Sequence, residues 1–377
     1  MTQSALRHVV VIDDPAQWNA VPANNGGNGP TWQWGNELLV GFTQGAAKTD
    51  SSFHQVDDAQ PYRSMLARSL DGGESWQSYA PENYPGNCQI DHARDSDREI
   101  DAAVPLPKAL DFRAAGFVLR VAGYGYHGNA GQQWFHSLDK GQNWRGPFLF
   151  TGLLDHPELA GRQFTSRTAY LVNAAQDCFL FLSVRQLGIA AHVVSPTDKV
   201  FLARTVDGGR SFQFVAWVVP PSDESRAVMP APVRLSAADI VVALRRRNDP
   251  ADRCWIDCYQ SQDNGQTWAF LSEVGFTGGR NSNGNPPAMI RLVDGRLCCV
   301  YGERRRGLII ARFSQDGGRT WGAKMILRQD FHSANGAMDL GYPRLFQRLD
   351  GRLATVYFWC SPERPETHLE ATLFAAP

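Results

Sequence analysis

The sequence has almost no net charge: 37 Lys and Arg stand against 38 Asp and Glu, for a formal charge of −1. A chain without a basic excess is a poor nucleic-acid binder or polybasic membrane binder. No apolar run reaches the roughly 18 residues of a spanning helix. Met1–Val11 hold a short apolar stretch without the apolar centre and small-residue cleavage site of a secretory signal, so a cytoplasmic, reducing location is expected unless a leader has been removed. The seven cysteines, at 88, 178, 254, 258, 298, 299 and 360, are odd in number, which excludes a complete disulfide framework within one chain. Those at 254, 258, 298 and 299 sit in strand-like runs, where a cysteine behaves as a small apolar residue. No CxxC or HxxxH spacing suggests zinc. The acidic run Asp91–Asp97 lacks the ordered ligand spacing of a calcium loop. No metal and no cofactor are expected.

Aromatic residues and turn formers are abundant, with 11 Trp, 10 Tyr, 20 Phe, 35 Gly and 22 Pro. They are organised by a repeat. Ser69-Leu-Asp-Gly-Gly-Glu-Ser-Trp76 recurs as octamers beginning at Ser137, Thr205, Ser261 and Ser314, each ending in Trp or Phe. Their aspartates, 71, 139, 207, 263 and 316, are separated by 68, 68, 56 and 53 residues. The aspartate can bond the amides of its own turn, the glycine supplies a left-handed position, and the terminal aromatic ring is large enough to pack between sheets.

Around each octamer the pattern is β. A second turn, Asp294-Gly295 or Asp350-Gly351, joins two apolar runs upstream, as in Ala288–Val293 with Arg296–Tyr301. Each unit then holds four short strands, A to D, with the octamer between C and D. Four-stranded units at a period of about 50 residues are propeller blades. Five octamers mark five blades, and the hairpin at 344–358 with the strand at 368–374 begins a sixth. The chain stops where a sixth octamer belongs, so its fourth strand is expected from residues 7–12. The predicted fold is all-β: one six-bladed β-propeller domain over 1–377, its ring closed by the N-terminal strand.

The octamers resemble the Asp-boxes, or bacterial neuraminidase repeats, of the sialidase superfamily. Gly284–Arg304 and Gly341–Trp359 are similar to bacterial sialidase-like sequences. The resemblance implies that the box aspartates are structural. It also implies an arginine triad for a substrate carboxylate, a tyrosine nucleophile activated by a glutamate, and an aspartate acid/base in the first blade's loop. Tyr342 and Arg344 in Gly-Tyr-Pro-Arg match the tyrosine and one arginine. Glu303 or Glu224 would be the tyrosine's base, and Asp50, Asp57 or Asp58 the acid. The family's first-blade Phe-Arg-Ile-Pro motif has no counterpart in Pro22–Thr31, so that clamp residue is either missing or replaced by Arg167 or Arg226.

Topology places the chemistry. The A–B and C–D turns share one face of the disc and are short. The B–C and D–A connections share the other and carry the ionisable residues. Arg167, Arg226, Arg245, Arg304 and Arg344 all fall on this second face, with Tyr342, Glu303, Asp58 and His54. Within Arg245–Arg247 and Arg304–Arg306 successive side chains alternate, and Arg245 and Arg304 lie nearest the axis. Convergent guanidiniums fit the carboxylate of a sialic or uronic acid. The expected activity is therefore a sialidase-like glycoside hydrolase on the acidic terminal sugar of a glycan. Two alternatives stand beside it: a uronate-glycan lyase or atypical glycosidase using His54 or Tyr342, and a non-catalytic glycan- or protein-binding propeller. Neither a nucleic acid nor a membrane is an expected partner, and the sequence assigns no oligomeric state.

Overall fold

A computed structural model describes residues 6–20, 32–48, 53–57, 59–60, 62–81, 103–124, 130–153, 155–189, 195–279, 281 and 283–377, with the backbone alone at 122–124, 130–132, 166 and 167. The fold is a six-bladed β-propeller. After β1 (Arg7–Ile12), the first blade holds β2 (Gln17–Ala20) and β3 (Trp32–Trp34), both paired to β4 (Glu37–Ala46), then β5 (Arg63–Ser69) and β6 (Gln77–Tyr79). The second blade has three strands among the described residues: β7 (Val118–Tyr124), β8 (Ala130–Ser137) and β9 (Arg145–Phe148). The third comprises β10 (Arg162–Val172), β11 (Cys178–Gln186), β12 (Lys199–Thr205) and β13 (Gln213–Trp217). The fourth comprises β14 (Arg226–Arg234), β15 (Ile240–Asn248), β16 (Arg253–Ser261) and β17 (Ala269–Gly278). The fifth comprises β18 (Ala288–Arg291), β19 (Leu297–Glu303), β20 (Leu308–Ser314) and β21 (Met325–Arg328).

The sixth blade joins the two ends of the chain. β22 (Gly341–Gln347), β23 (Leu353–Trp359) and β24 (His368–Phe374) are completed by β1, which runs antiparallel to β24 with Arg7 opposite Leu373 and Val9 opposite Ala371.

Each blade is sandwiched between two others, so both faces of a strand need apolar side chains. β19 shows this directly: Leu297, Cys299 and Tyr301 pack toward the fourth blade, and Cys298 and Val300 toward the sixth. Among the described residues, six apolar clusters fill the six seams between neighbouring blades. The described cysteines, at 178, 254, 258, 298, 299 and 360, are buried free thiols within this packing.

The octamers are self-contained turns. Asp263 Oδ1 accepts from the Thr267 amide at 2.9 Å and its Oδ2 from the Thr267 hydroxyl at 2.6 Å. Asp316 makes the same two bonds with Thr320. The Thr hydroxyl, followed by backbone amides, holds each of these carboxyls at about 2. The octamer aromatic packs against the preceding blade: Trp76 in the sixth–first seam, Trp144 in the first–second, Phe212 in the second–third, Trp268 in the third–fourth, and Trp321 in the fourth–fifth. Trp144 and Phe212 are buried, whereas Trp76, Trp268 and Trp321 are half-buried. In Trp76, Trp144 and Trp268 the indole N–H donates back to a glycine carbonyl of its own turn at 3.0–3.1 Å.

The A–B turns sit on the box face. Arg348, beside the A–B turn of the sixth blade, bonds Glu74 of the first octamer at 2.6 Å. The opposite face receives the B–C and D–A connections.

Candidate active site

Three strand-A starts carry the site, and two of them are bulged. The β14–β15 register shifts between Val228 and Ala231, and the β22–β23 register between Gly341 and Arg344. Each bulge holds a residue followed by proline, Met229-Pro230 and Tyr342-Pro343. Both Met229 and Tyr342 adopt left-handed backbone, with φ of 59° and 51°. Ahead of β18, Asn283 does the same at 56°. A non-glycine residue held there costs on the order of 1–3 kcal/mol, and such residues gather at functional sites.

All three converge on one side chain. Arg245, near the end of β15, donates from Nη1 to the Tyr342 hydroxyl at 3.0 Å and to the Met229 sulfur at 3.5 Å. Its Nη2 donates to Asn283 Oδ1 at 2.9 Å. Arg245 is buried, and its three partners are neutral; it has no carboxylate partner among the described residues. Burial, with the neighbouring Arg226 and Arg304 charges, lowers its guanidinium to about 10.

Arg304 approaches from the fifth blade. Its guanidinium lies 5.6 Å from the Tyr342 ring centre and 5.2 Å from that of Phe53. Nε donates to the Leu340 carbonyl at 3.1 Å and Nη2 to Asp339 Oδ1 at 2.9 Å. The other Asp339 oxygen is 2.6 Å from His54 Nδ1, from the B–C connection of the first blade. Asn285 clamps the strand start: its Oδ1 accepts from the Tyr342 amide at 3.0 Å and its Nδ2 donates to the Leu340 carbonyl at 2.6 Å. On the third-blade side, buried Asp198 Oδ2 accepts from Arg226 Nε at 2.7 Å and Arg185 Nη2 at 3.0 Å. Lys199 beside it donates to the Ser225 carbonyl at 2.9 Å, and burial lowers its ammonium to about 8.

Of the residues singled out in the sequence, the structure brings together Tyr342, Arg245, Arg304 and His54, with Arg226 close enough for its charge to act on Arg245. Arg344 is buried two residues beyond Tyr342 and donates to the Pro343 carbonyl at 3.1 Å. The arginines are sunk below the surface rather than lining an open funnel. Arg226, Arg245 and Arg304 are each no more than 3% exposed, while the His54 side chain is 33% exposed. Glu303 departs from expectation. Strand alternation turns it away from Arg304 and toward the fourth-blade seam, where Lys324 donates to it at 2.8 Å, so it is not placed beside Tyr342 as that residue's base. Among the described residues, neither Glu224 nor Asp57 contacts Tyr342; Asp57 accepts instead from the Ala59 amide at 3.1 Å. Asp50, Asp58 and the arginine-free stretch Pro22–Thr31 lie outside the described residues, as does the Arg167 side chain. The Arg167 backbone lies in the corresponding irregular stretch of β10, where the register shifts between Thr165 and Ala169.

The site residues to which the sequence assigned no role are Met229, Asn283, Asp198 and Asp339, of which Asn283 and Asp339 are visible as polar residues ahead of a strand on this face. Met229-Pro230 had a signal, since it repeats Tyr342-Pro343 at the same strand position. Asp198 had none.

Comparison with known proteins agrees with this architecture. The family described as BNR repeat-like domain matches residues 116–355. Among curated proteins, none matches the sequence. A protein of unknown function from Dyadobacter fermentans superposes with a TM-score of 0.67 at 18% identity, over 99% of this chain and 100% of its own. A Penicillium chrysogenum alpha-L-arabinanase solved with arabinobiose gives 0.54 at 13%, over 98% and 97%. A Hadza microbial sialidase gives 0.55 at 14%, over 95% of this chain and 66% of its own.

Proposed function

We propose, for a chain that belongs to the BNR repeat-like domain family, a glycoside hydrolase that acts on an acidic terminal sugar, sialic or uronic, at the axial cluster around Tyr342. The observation that carries this reading is the buried Arg245 guanidinium with only neutral partners among the described residues. A buried cation without a counter-charge is costly. An anionic ligand above it offsets that cost, whereas Arg226 and Arg304 already have the carboxylates of Asp198 and Asp339 as partners. The partial exposure of Tyr342 and His54 above buried guanidiniums gives a positive floor with two reactive groups on it.

In this reading Tyr342 faces the anomeric carbon. A neutral phenol suits a centre flanked by a carboxylate, because it avoids the repulsion that a carboxylate nucleophile would meet. Arg245 occupies a lone pair of the phenol oxygen and fixes its direction. Sialidases and arabinan-cleaving enzymes both occur among the structural neighbours, and charge separates them as models for the substrate.

The test is calorimetry of the parent and Arg245→Met with sialic acid, a uronic acid and neutral arabinobiose. The acidic sugars should bind and arabinobiose should not. Arg245→Met should weaken acidic binding about thirtyfold, which is roughly 2 kcal/mol. Arabinobiose binding as tightly as the acids would overturn the acidic-substrate reading.

A further inference from the structure

Asp339 is shared. One buried oxygen accepts from Arg304 at 2.9 Å and the other lies 2.6 Å from His54 Nδ1. The aspartate side chain is 3% exposed and the imidazole 33%. Edge contacts fix the ring: Phe53 at 4.9 Å and Trp18 at 5.9 Å between centres. The same Phe53 covers the Arg304 guanidinium. His54, Asp339, Arg304 and Tyr342 thus form one continuous chain of contacts from the first blade's connection to the sixth blade's first strand.

We propose that His54 is the acid/base residue of this site and Asp339 its positioning residue, an inference that rests on the glycoside hydrolase reading and deepens it. An ionised carboxylate only accepts hydrogen bonds. With Asp339 ionised against Arg304, His54 Nδ1 must carry its hydrogen whether the ring is neutral or charged. Proton exchange with the substrate therefore runs through Nε2. Asp57 in the same connection does not supply this geometry: it accepts from the amide of Ala59 at 3.1 Å within its own turn.

The step balances without any added reagent. The imidazolium gives its Nε2 proton to the glycosidic oxygen as the bond from that oxygen to the anomeric carbon breaks, and the bonding pair stays on the leaving oxygen. The Tyr342 oxygen bonds to the anomeric carbon in the same step and its phenol proton passes to solvent. The neutral imidazole then takes a proton from water as the water oxygen bonds to the anomeric carbon and the Tyr342 oxygen leaves with its bonding pair, regaining a proton from solvent. One water is consumed, and the imidazolium and the phenol are both restored.

Two measurements test the assignment. The first is nitrogen NMR of the neutral His54 ring in the parent: the hydrogen should reside on Nδ1, and in Asp339→Asn the other tautomer should gain population, because an amide N–H can donate to Nδ1. A parent ring with its hydrogen on Nε2 overturns the proposal. The second compares acidic-sugar glycosides with a nitrophenyl leaving group and with an alkyl one. His54→Gln should lose about a hundredfold or more in kcat on the alkyl glycoside, the range of general acid catalysis, and under tenfold on the nitrophenyl glycoside, whose departure needs little protonation. Asp339→Asn should follow the same selectivity through kcat rather than KM. Equal losses on both glycosides, or none, overturn the role of His54 and leave the hydrolase reading standing. An unsaturated, ultraviolet-absorbing product also overturns it, because the proton would then be leaving carbon. A parent that cleaves neither glycoside overturns the hydrolase reading and the inference with it.

Discussion

Tyr342 combines a left-handed backbone, a hydroxyl bonded to a buried arginine, and a ring that packs on Phe358 at 5.7 Å. Tyr342→Phe keeps the ring contacts and removes only the oxygen. Turnover should fall by at least about a hundredfold, and stability by about 1–3 kcal/mol because a buried donor loses its partner. Single-turnover kinetics beside a denaturant titration separates the two. An active Tyr342→Phe protein would remove Tyr342 from the chemistry. Glu303→Gln should do the reverse. Its carboxylate meets Lys324 in the fourth-blade seam, so the loss should be about 1–2 kcal/mol of stability, with kcat per folded molecule within threefold of the parent. The contrast shows what a sequence can reveal at this scale. Strand alternation allowed at most two of each run of three arginines to share a face, and nearness to the axis then singled out Arg245 and Arg304. The same rule turns Glu303 away from its neighbour Arg304, and reading the glutamate by family pattern alone missed it. Asp339 was visible only as one polar residue ahead of a strand, because its partner His54 is 285 positions away.

The elements were more legible than the residues, because an octamer is a local device. The Ser or Thr, the Asp and the glycine close one turn with bonds that span at most four positions, as in Asp316 with Ser314 and Thr320. The strand bulges were not legible, since they depend on which residue faces the axis rather than on local spacing. The octamers make a prediction of their own. Asp263 and Asp316 are held at about 2, below the ordinary carboxylate value of 3.8. A depressed folded-state value adds stability that is complete above about pH 4 and disappears as pH falls through about 2. Urea midpoints should therefore drop across that window. Asp316→Ala should cost about 1–3 kcal/mol at neutral pH through its lost turn bonds, and its gap from the parent should narrow toward pH 2. The activity of the folded variant should be unaffected, because the box lies on the face opposite Tyr342. A gap that widens in acid would contradict the role given to these carboxylates.

At the scale of the whole molecule, stability depends on closing the ring. β1 is the outer strand of the sixth blade, and its Val11, Val9 and Ile12 pack in the seam that also holds the first blade's Trp18, Val40 and Phe42. Deleting residues 1–12 removes the ladder along β24, exposes that strand's edge and opens the seam between the last and first blades. Burying one aliphatic side chain contributes about 1.5–3 kcal/mol. Val11 is buried and the other two partly so, which makes the loss several kcal/mol against a total of about 5–15 for a folded domain. The truncated protein should unfold at a clearly lower temperature, and the transition should fall for the whole ring rather than for one blade, since every blade is held by two neighbours. A second variant isolates the cause. In the native register Arg7 lies opposite Leu373, so the start of β1 is adjacent to the end of β24. Moving residues 7–12 behind Pro377 through a short turn, with the chain now starting at Asp13, lets the same strand enter the same blade in continuous order. The new connection falls on the face where the other blades carry their octamers. Thermal unfolding should then recover most of what the truncation lost. A truncation that melts like the parent would show that β1 does not hold the ring. A permuted chain that stays as unstable as the truncation would show that residues 7–12 act through some contact other than their pairing with β24.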